Sequence, residues 1–215
     1  NLSDLGNSYV PVSDILDEKA YVNGIVGLMA TGGSTNLLIH LIAMARASGI
    51  LLDWVDFQDI ADIVPLLTRV YPNGLADVNH FHAAGGLALV LRELLSAGLL
   101  HDDTQTIVGR GLAQYTKEPK LVDGTLIWEE GALVSLNKKI IATLEAPFQK
   151  TGGLSALSGN LGHGVMKTSA VAPERRVITA PCRVFHDQIS VITAFRAGEF
   201  DRDVVVVVRY QGPKA

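Results

Sequence analysis

The spacing of apolar residues predicts helices through the first half of the chain. Apolar positions recur at helical spacing over residues 14–30, and Asp14 is expected to cap this helix. A second helix is predicted from Ser34 or Thr35 to Gly49, because glycine suits the left-handed position that ends a helix. Further helices are predicted over three shorter segments, 53–64, 77–83 and 87–97.

The pattern changes to short β-strands after about residue 115. The dipeptide Asp123-Gly124 between two apolar segments predicts a tight hairpin. The β-branched run 204–208 predicts a strand that is buried on both faces, and Cys182 is interpreted as a small core residue of another strand. Four more segments complete this half, with strands at 140–144, 165–171 and 176–185 and a helix at 188–197.

This change of pattern predicts two domains. Residues 1–150 are interpreted as the helix-rich part of an α/β domain, and residues 151–215 as the start of a β-rich domain. The segment 147–153 contains a proline and paired glycines, and it is interpreted as the linker between them.

Composition narrows the class of protein. Of the 215 residues 48% are hydrophobic, which is typical of a globular chain, and no apolar stretch is long enough to span a membrane. The net charge of −4 comes without any long basic run, so no nucleic-acid surface is predicted. A single cysteine excludes an intrachain disulfide and fits a reducing compartment such as the cytoplasm. The first residue is Asn1 rather than methionine, which suggests an internal starting point.

Two polar segments of the first half are candidate binding sites. In TGGSTN (31–36), glycines allow close approach of a ligand and free amides at the next helix start can bind an anion; an ordinary helix-to-helix turn is the alternative. In YPNGLADVNHFHAAGG (71–86), two histidines lie two positions apart, so they do not share one side of a helix. A pair of histidines binding one metal is therefore not predicted, and packed or exposed histidines are the alternative.

Two more candidates lie in the second half. The loop SGNLG (158–162) precedes Lys167, which could bind a carboxylate or phosphate, and the turn QGPK (211–214) places Lys214 directly after an apolar strand. A plain turn with an exposed lysine is the alternative for each segment. The residues alone thus indicate an α/β chain whose loops suit a small anionic ligand.

In order along the chain, ATGGSTN, HAAGG, SGNLG with MKTSA, and VVVVRYQGPK resemble the landmarks of the dihydroxy-acid/6-phosphogluconate dehydratase family. The segment 71–86 resembles the 6-phosphogluconate branch, because the branched-chain branch has a Lys-Pro-Ser-Gly turn there. Substrate contacts are then expected from seven residues: Ser34, Thr35, Asn36, Asn79, His80, Lys167 and Lys214.

The resemblance implies a hydro-lyase that converts 6-phospho-D-gluconate to 2-dehydro-3-deoxy-6-phosphogluconate and water in the Entner–Doudoroff pathway. It also implies a cytoplasmic homodimer, a barrel-like C-terminal domain, an iron–sulfur cluster of the 4Fe–4S type and a divalent cation such as Mg²⁺. The cluster cysteines and the catalytic residues of this family lie outside the stretch that matches, so no catalytic or metal residue is assigned within this chain, and the chain alone is expected to be inactive. The alternatives are another sugar-acid or dihydroxy-acid dehydratase of the family and a non-catalytic module that binds a phosphosugar.

Overall fold

The computed structural model describes residues 10–211. They divide between Val171 and Ala172 into two compact units. Within the described range, the larger unit contains six α-helices and three two-stranded antiparallel sheets. The smaller unit contains one α-helix and a parallel pair of strands.

The helices are α1 (Val12–Ile15), α2 (Glu18–Thr31), α3 (Thr35–Ala47), α4 (Trp54–Ile63), α5 (Val78–Ala83), α6 (Gly86–Ser96) and α7 (Gln188–Arg196). The strands are β1 (Gln105–Thr106), β2 (Gly109–Arg110), β3 (Lys117–Val122), β4 (Thr125–Glu130), β5 (Ser155–Gly159), β6 (Gly162–Met166), β7 (Cys182–Phe185) and β8 (Val205–Val208). Short 3₁₀ turns occupy Ala113–Thr116, Thr168–Ala170 and Pro173–Arg175.

Side-chain caps determine where the helices begin. The carboxylate of Asp17 accepts the amide of Ala20 at 2.8 Å and starts α2, so the prediction that Asp14 caps this helix was wrong. Asp14 lies instead inside α1, which ends before α2 begins. The predicted starts at Asp53 and Asp77 are confirmed, and each of these residues forms a reciprocal capping box.

The core of the larger unit forms around α2. Its side chains Tyr21, Ile25, Leu28 and Met29 are each no more than 2% exposed. Helices α3 and α4 pack against α2, and Leu38 and Phe57 contribute to the same hydrophobic cluster. Because a helix buried on several sides cannot reach water, its end groups must find partners within the protein.

The strand predicted at 140–144 is not formed. The amides of Ile140 and Ile141 both donate to the carbonyl of Asn137, at 2.9 and 3.0 Å, and this pairing makes a turn. Only an isolated bridge to Thr68 resembles a ladder at this point of the described structure. Ile140 and Ile141 are nevertheless buried. The apolar pattern of this segment therefore indicated that it is buried, but did not establish that it forms a strand.

The predicted hairpin at Asp123-Gly124 is confirmed. Strands β3 and β4 pair from Lys117 with Glu130 to Val122 with Thr125. Asp123 and Gly124 both have positive φ, at 48° and 77°, which is the requirement of a type I′ turn.

In the smaller unit, β7 and β8 are parallel strands joined through α7, as the predicted intervening helix requires. The prediction that the valine run is buried on both faces was wrong, because Val205 and Val206 are 36% and 38% exposed. Cys182 is also exposed rather than a core residue. It alternates along β7 with half-buried Arg183, so its side chain lies on the less covered face of a sheet that has only two strands.

The described residues therefore form a mixed helix and sheet protein with small sheets, none of which closes into a barrel. The segment 147–153 packs into the larger unit, where Gly152 donates to the carbonyl of Ala61 at 2.7 Å, and it is not a free linker. The domain boundary at residue 150 stays a prediction. Within residues 10–211 no helix combines the length and apolar character needed to cross a bilayer.

The close approach of two glycines predicts opposite effects for two alanine substitutions. A Cβ at Gly153 would overlap the Cα of Gly32, whereas a Cβ at Gly27 within α2 meets nothing within 4 Å. Gly153→Ala should lower the free energy of unfolding by about 1–3 kcal/mol, and Gly27→Ala should raise it by about 0.5–1 kcal/mol. Denaturant unfolding of both variants checks this, and a Gly153→Ala protein as stable as the parent would contradict the packing.

Candidate functional site

The turn between α2 and α3 is the centre of the candidate site. Gly32 adopts left-handed φ and ψ of 56° and 45° and ends α2. The amides of Gly32 and Gly33 return to the carbonyls of Met29 and Leu28, which is a Schellman motif. The chain then enters α3 directly, so the C-terminus of one helix lies beside the N-terminus of the next.

Residues from other segments donate hydrogen bonds to the carbonyl oxygens at the end of α2. The Ala30 carbonyl accepts the amide of Leu67 at 2.7 Å, and the Met29 carbonyl also accepts the amide of Gly153 at 3.0 Å. The carbonyl of Thr31 accepts the buried hydroxyl of Thr68 at 2.9 Å. These bonds neutralise the partial negative charge that a helix C-terminus would otherwise present.

The N-terminus of α3 faces an open cavity of about 570 Å³. Ser34 caps the helix by accepting the amide of Asn36 at 3.1 Å, and Ser34 and Thr35 line the cavity. The amides of Asn36 and Leu37 are paired with the hydroxyl and the carbonyl of Ser34. A ligand in the cavity would therefore meet the hydroxyls of Ser34 and Thr35 and the partial positive charge of the helix start, which suits an anion. The lining residues are Thr31, Gly32, Gly33, Ser34, Thr35, Thr68, Val70, Tyr71, Pro72, Asn73, Val78, Phe81 and Lys167.

Among the described residues that line this cavity, Lys167 is the one with a charged side chain. It is half-buried, and burial lowers the pKa of its ammonium group below the ordinary lysine value. Removal from water favours the neutral amine, and a bound anion would favour the ammonium ion again. A partly desolvated lysine beside a helix N-terminus is therefore a suitable site for a carboxylate or phosphate group.

The side chain of Asn73 joins the two sides of the cavity. Its Nδ2 donates to the carbonyl of Gly32 at 2.8 Å and approaches the carbonyl of Thr31 at 3.5 Å. Its Oδ1 lies 2.9 Å from the hydroxyl of Ser169, in the 3₁₀ turn that directly follows Lys167. One amide group thus connects the turn between the helices to the segment that carries the lysine.

The structure brings together three of the residues that the sequence predicted as substrate contacts. Ser34, Thr35 and Lys167 line one cavity although more than 130 positions separate the first two from the third. Asn36 contributes its amide to the cap of α3 but is not among the lining residues. Lys214 lies outside the described residues, so its role stays a prediction.

Asn79 and His80 are exposed and do not line the cavity. Val78 and Phe81 do line it, because residues three apart share a side of a helix while the two positions between them are rotated away. His80 instead closes the capping box of α5, where its amide donates to the carboxylate of Asp77 at 2.9 Å. That bond lowers the pKa of the Asp77 carboxyl. Substrate contact by either residue stays a prediction.

Sequence reasoning did not select Asn73, Thr68 or Ser169 as site residues, although Asn73 lies within the candidate segment 71–86. Asn73 is in the turn Tyr71–Gly74, where an asparagine is unremarkable because turns favour it for local reasons. Thr68 lies in an apolar segment with no recognisable motif, and Ser169 belongs to the landmark MKTSA, of which only Lys167 was selected. Only the fold shows that all three converge on the end of α2.

Two family models match this chain, and together they include the residues that line the cavity. A family model described as "Dihydroxy-acid/6-phosphogluconate dehydratase N-terminal" matches residues 2–115, and its C-terminal counterpart matches residues 139–215. The cavity lining from Thr31 to Phe81 falls within the first match and Lys167 within the second.

Individual relatives match nearly the whole chain. "Phosphogluconate dehydratase" of Pseudomonas aeruginosa is 55% identical over 100% of this chain and 35% of its own length. The protein of the same name from Escherichia coli K12 is 59% identical over 98% of this chain and 35% of its own length. "Dihydroxy-acid dehydratase" of Caldanaerobacter subterraneus is 39% identical over 94% of this chain and 34% of its own length. The chain spans about a third of the length of the curated relatives it matches.

The two roles of Ser34 predict that capping and anion binding can be separated. Ser34→Ala removes the cap and should lower the free energy of unfolding by about 1 kcal/mol. Ser34→Asp should restore it, because aspartate is an equally good cap, but its carboxylate in the cavity lining should weaken the binding of inorganic phosphate. Thermal unfolding and calorimetric phosphate titration measure the two effects, and unchanged phosphate binding by Ser34→Asp would exclude the cavity as an anion site.

Proposed function

The chain belongs to the dihydroxy-acid/6-phosphogluconate dehydratase family, and on that premise we propose that it is part of an enzyme that dehydrates 6-phosphogluconate. The observation that carries this proposal is the cavity that Lys167 lines together with Ser34 and Thr35 from the start of α3. Its chemistry suits an acidic, phosphorylated sugar. The relatives named phosphogluconate dehydratase support the choice, since the two described above are 55% and 59% identical to this chain.

The proposed reaction converts 6-phospho-D-gluconate to 2-dehydro-3-deoxy-6-phosphogluconate and water. A proton leaves C2, the C3 hydroxyl departs as hydroxide and is protonated to water, and the resulting enol becomes the 2-keto acid. The part of this chain in that reaction is to bind and orient the substrate. Lys167, the hydroxyls of Ser34 and Thr35 and the partial positive charge at the start of α3 hold one anionic group, which fixes the sugar relative to catalytic groups elsewhere.

The iron–sulfur cluster that the family implies does not fit the residues described here. Such a cluster needs several thiolates, and Cys182 is the single cysteine of the chain. In residues 10–211, no group of three or more His, Cys, Asp or Glu side chains could hold a metal ion. We assign no step of the reaction to a cluster in this chain. The ligands of a 4Fe–4S cluster, and of a divalent cation such as Mg²⁺, are proposed to lie in other parts of the protein.

The remaining sequence-based expectations belong to the same proposal. Asn36, Asn79, His80 and Lys214 stay proposed contacts to the rest of the sugar. A reducing, cytoplasmic location agrees with the single cysteine. A homodimer and a barrel-like domain that begins after residue 150 are proposed from the family, with no nucleic-acid or membrane partner.

A dihydroxy-acid dehydratase is the second candidate. It is favoured by the relative from Caldanaerobacter subterraneus, which is 39% identical over 204 residues. Its substrate would carry a carboxylate but no phosphate. The carboxylate alone would then be the anionic group that binds in the cavity. A non-catalytic phosphosugar-binding module is the third, and the single cysteine of the chain is the observation that favours it.

The substrate test uses the longer protein that contains this chain, purified without oxygen. It should form a 2-keto acid from 6-phosphogluconate, and it should turn over 2,3-dihydroxyisovalerate at least about tenfold less efficiently. The isolated 215-residue chain should bind phosphate but show no turnover. Preference for dihydroxyisovalerate would move the protein to the second candidate, and turnover by the isolated chain would contradict the absence of catalytic residues from it.

The lowered pKa of Lys167 predicts an alkaline loss of substrate affinity. Because burial lowers this pKa, the ammonium charge is lost at a lower pH than in an exposed lysine, and KM should rise in the alkaline range at a pH below the ordinary lysine value of about 10.4. The substrate phosphate, with its second pKa near about 6, keeps its charge over this range. Lys167→Arg should flatten the rise because arginine stays charged, and Lys167→Met should have a high KM at every pH.

The control for this profile is Lys138→Met, which removes an exposed lysine outside the cavity lining. It should reproduce the pH dependence of the parent protein. An alkaline rise in KM that persists unchanged in Lys167→Arg would assign the titration to another group.

A further inference from the structure

Resting on the proposed function, we infer that Asn73 is a positioning residue that holds Lys167 and the N-terminus of α3 in the geometry needed for anion binding. Asn73 is the side chain that hydrogen-bonds both to the turn between α2 and α3 and to the 3₁₀ turn after Lys167. A change in either bond therefore changes the spacing between the cationic group and the helix amides.

The first part of this role is electrostatic. The carbonyls of Thr31 and Gly32 belong to the negative end of α2, and both residues line the same cavity as Lys167. The Nδ2 group of Asn73 donates to the Gly32 carbonyl at 2.8 Å and covers it. A carbonyl without this donor would be free to face the cavity, where it would repel an anion.

The second part is geometric. Nδ2 of Asn73 lies so close to Gly32 that a Cβ on that glycine would overlap it. At the other end, the hydroxyl of Ser169 lies 2.9 Å from Oδ1 of Asn73 and 3.0 Å from the carbonyl of Gly153, and these two acceptors share its single hydrogen. The Ser169 amide also donates to the Gly153 carbonyl, at 3.1 Å. The lysine-bearing segment is thus attached at two points to the framework that ends α2.

Asn23 provides a matched control. Its side chain also joins two distant segments by a pair of hydrogen bonds, since Nδ2 donates to the carbonyl of His101 at 2.9 Å and Oδ1 accepts the amide of His101 at 2.8 Å. Asn23 is not among the residues that line the cavity. Replacing it should cost stability of a similar size without changing substrate affinity.

The experiment measures steady-state kinetics with 6-phosphogluconate, together with Tm, in the full-length anaerobic enzyme. Asn73→Ala should raise KM roughly tenfold while kcat changes less than about twofold, because binding of the anionic group is lost equally from substrate and transition state. Asn73→Asp should raise KM further, since it places a carboxylate against the Gly32 carbonyl and in the anion site. Asn23→Ala should lower Tm by a similar amount with KM unchanged.

A double-mutant cycle tests whether Asn73 acts through Lys167. In a Lys167→Met background, Asn73→Ala should raise KM by less than about twofold, because the group that it positions is absent. If Asn73→Ala does not fold, Ser169→Ala removes only the hydroxyl donor and should give a smaller, equally non-additive rise in KM. Equal effects of Asn73→Ala in both backgrounds, or a fall in Tm with no change in KM, would overturn the inference.

The same measurements separate this inference from the proposed function. A parent enzyme that fails to turn over 6-phosphogluconate contradicts the function itself. A parent enzyme that is active, with an Asn73→Ala variant of unchanged KM, contradicts only the positioning role. Titration with inorganic phosphate gives a readout that needs no turnover, and its affinity should fall in Asn73→Ala but not in Asn23→Ala.

Discussion

The hydrogen bonding of the C-terminal end of α2 is the constraint on which the larger unit depends. Because this helix is buried, its last carbonyls cannot be solvated and must be paired within the protein. The partners come from separate parts of the chain: Leu67 and Thr68 after α4, Asn73 in a turn, and Gly153 before β5. Pairing these groups brings together the segments that form the candidate site. The core and the cavity are thus consequences of one buried helix end.

The same junction decides the charge of the cavity. A helix C-terminus and a helix N-terminus meet at Gly32-Gly33, and their partial charges would largely cancel if both were open to the cavity. Thr68 and Asn73 cover carbonyls of the first helix, and Ser34 covers the amides of Asn36 and Leu37 at the start of the second with its hydroxyl and its carbonyl. The lining of the cavity includes the hydroxyls of Ser34 and Thr35 beside apolar side chains such as Val78 and Phe81, and the half-buried Lys167 adds a cationic group. We propose that the paired carbonyls of α2 and this cationic group together make the turn an anion site.

Much of this fold could be predicted from local sequence, and the exceptions have physical causes. Caps at Asp53 and Asp77 and the turn at Asp123 are set by interactions within a few residues, so their patterns identify them. The segment at Ile140 was mistaken for a strand because burial, which its apolar residues report, does not specify backbone pairing. Cys182 was mistaken for a core residue because alternation along a strand shows that its faces differ but not which one is covered.

The residues of the candidate site also fall into two groups, those that local sequence identifies and those that only the fold identifies. Glycines and hydroxyls at a helix start have a local signature, so Ser34 and Thr35 could be selected directly, and Lys167 was selected because it follows a Gly/Asn loop. Asn79 and His80 were selected because they belong to a polar cluster that resembles the 6-phosphogluconate branch, but they are not among the residues that line the cavity, as Val78 and Phe81 are. The role of Asn73 could not be recognised from the sequence, because its side-chain hydrogen bonds join residues about 40 and about 100 positions away. A positioning residue acts by hydrogen-bonding elements that are distant in sequence. Those elements lie within hydrogen-bonding distance only after the chain has folded, so such a residue cannot be identified from local sequence.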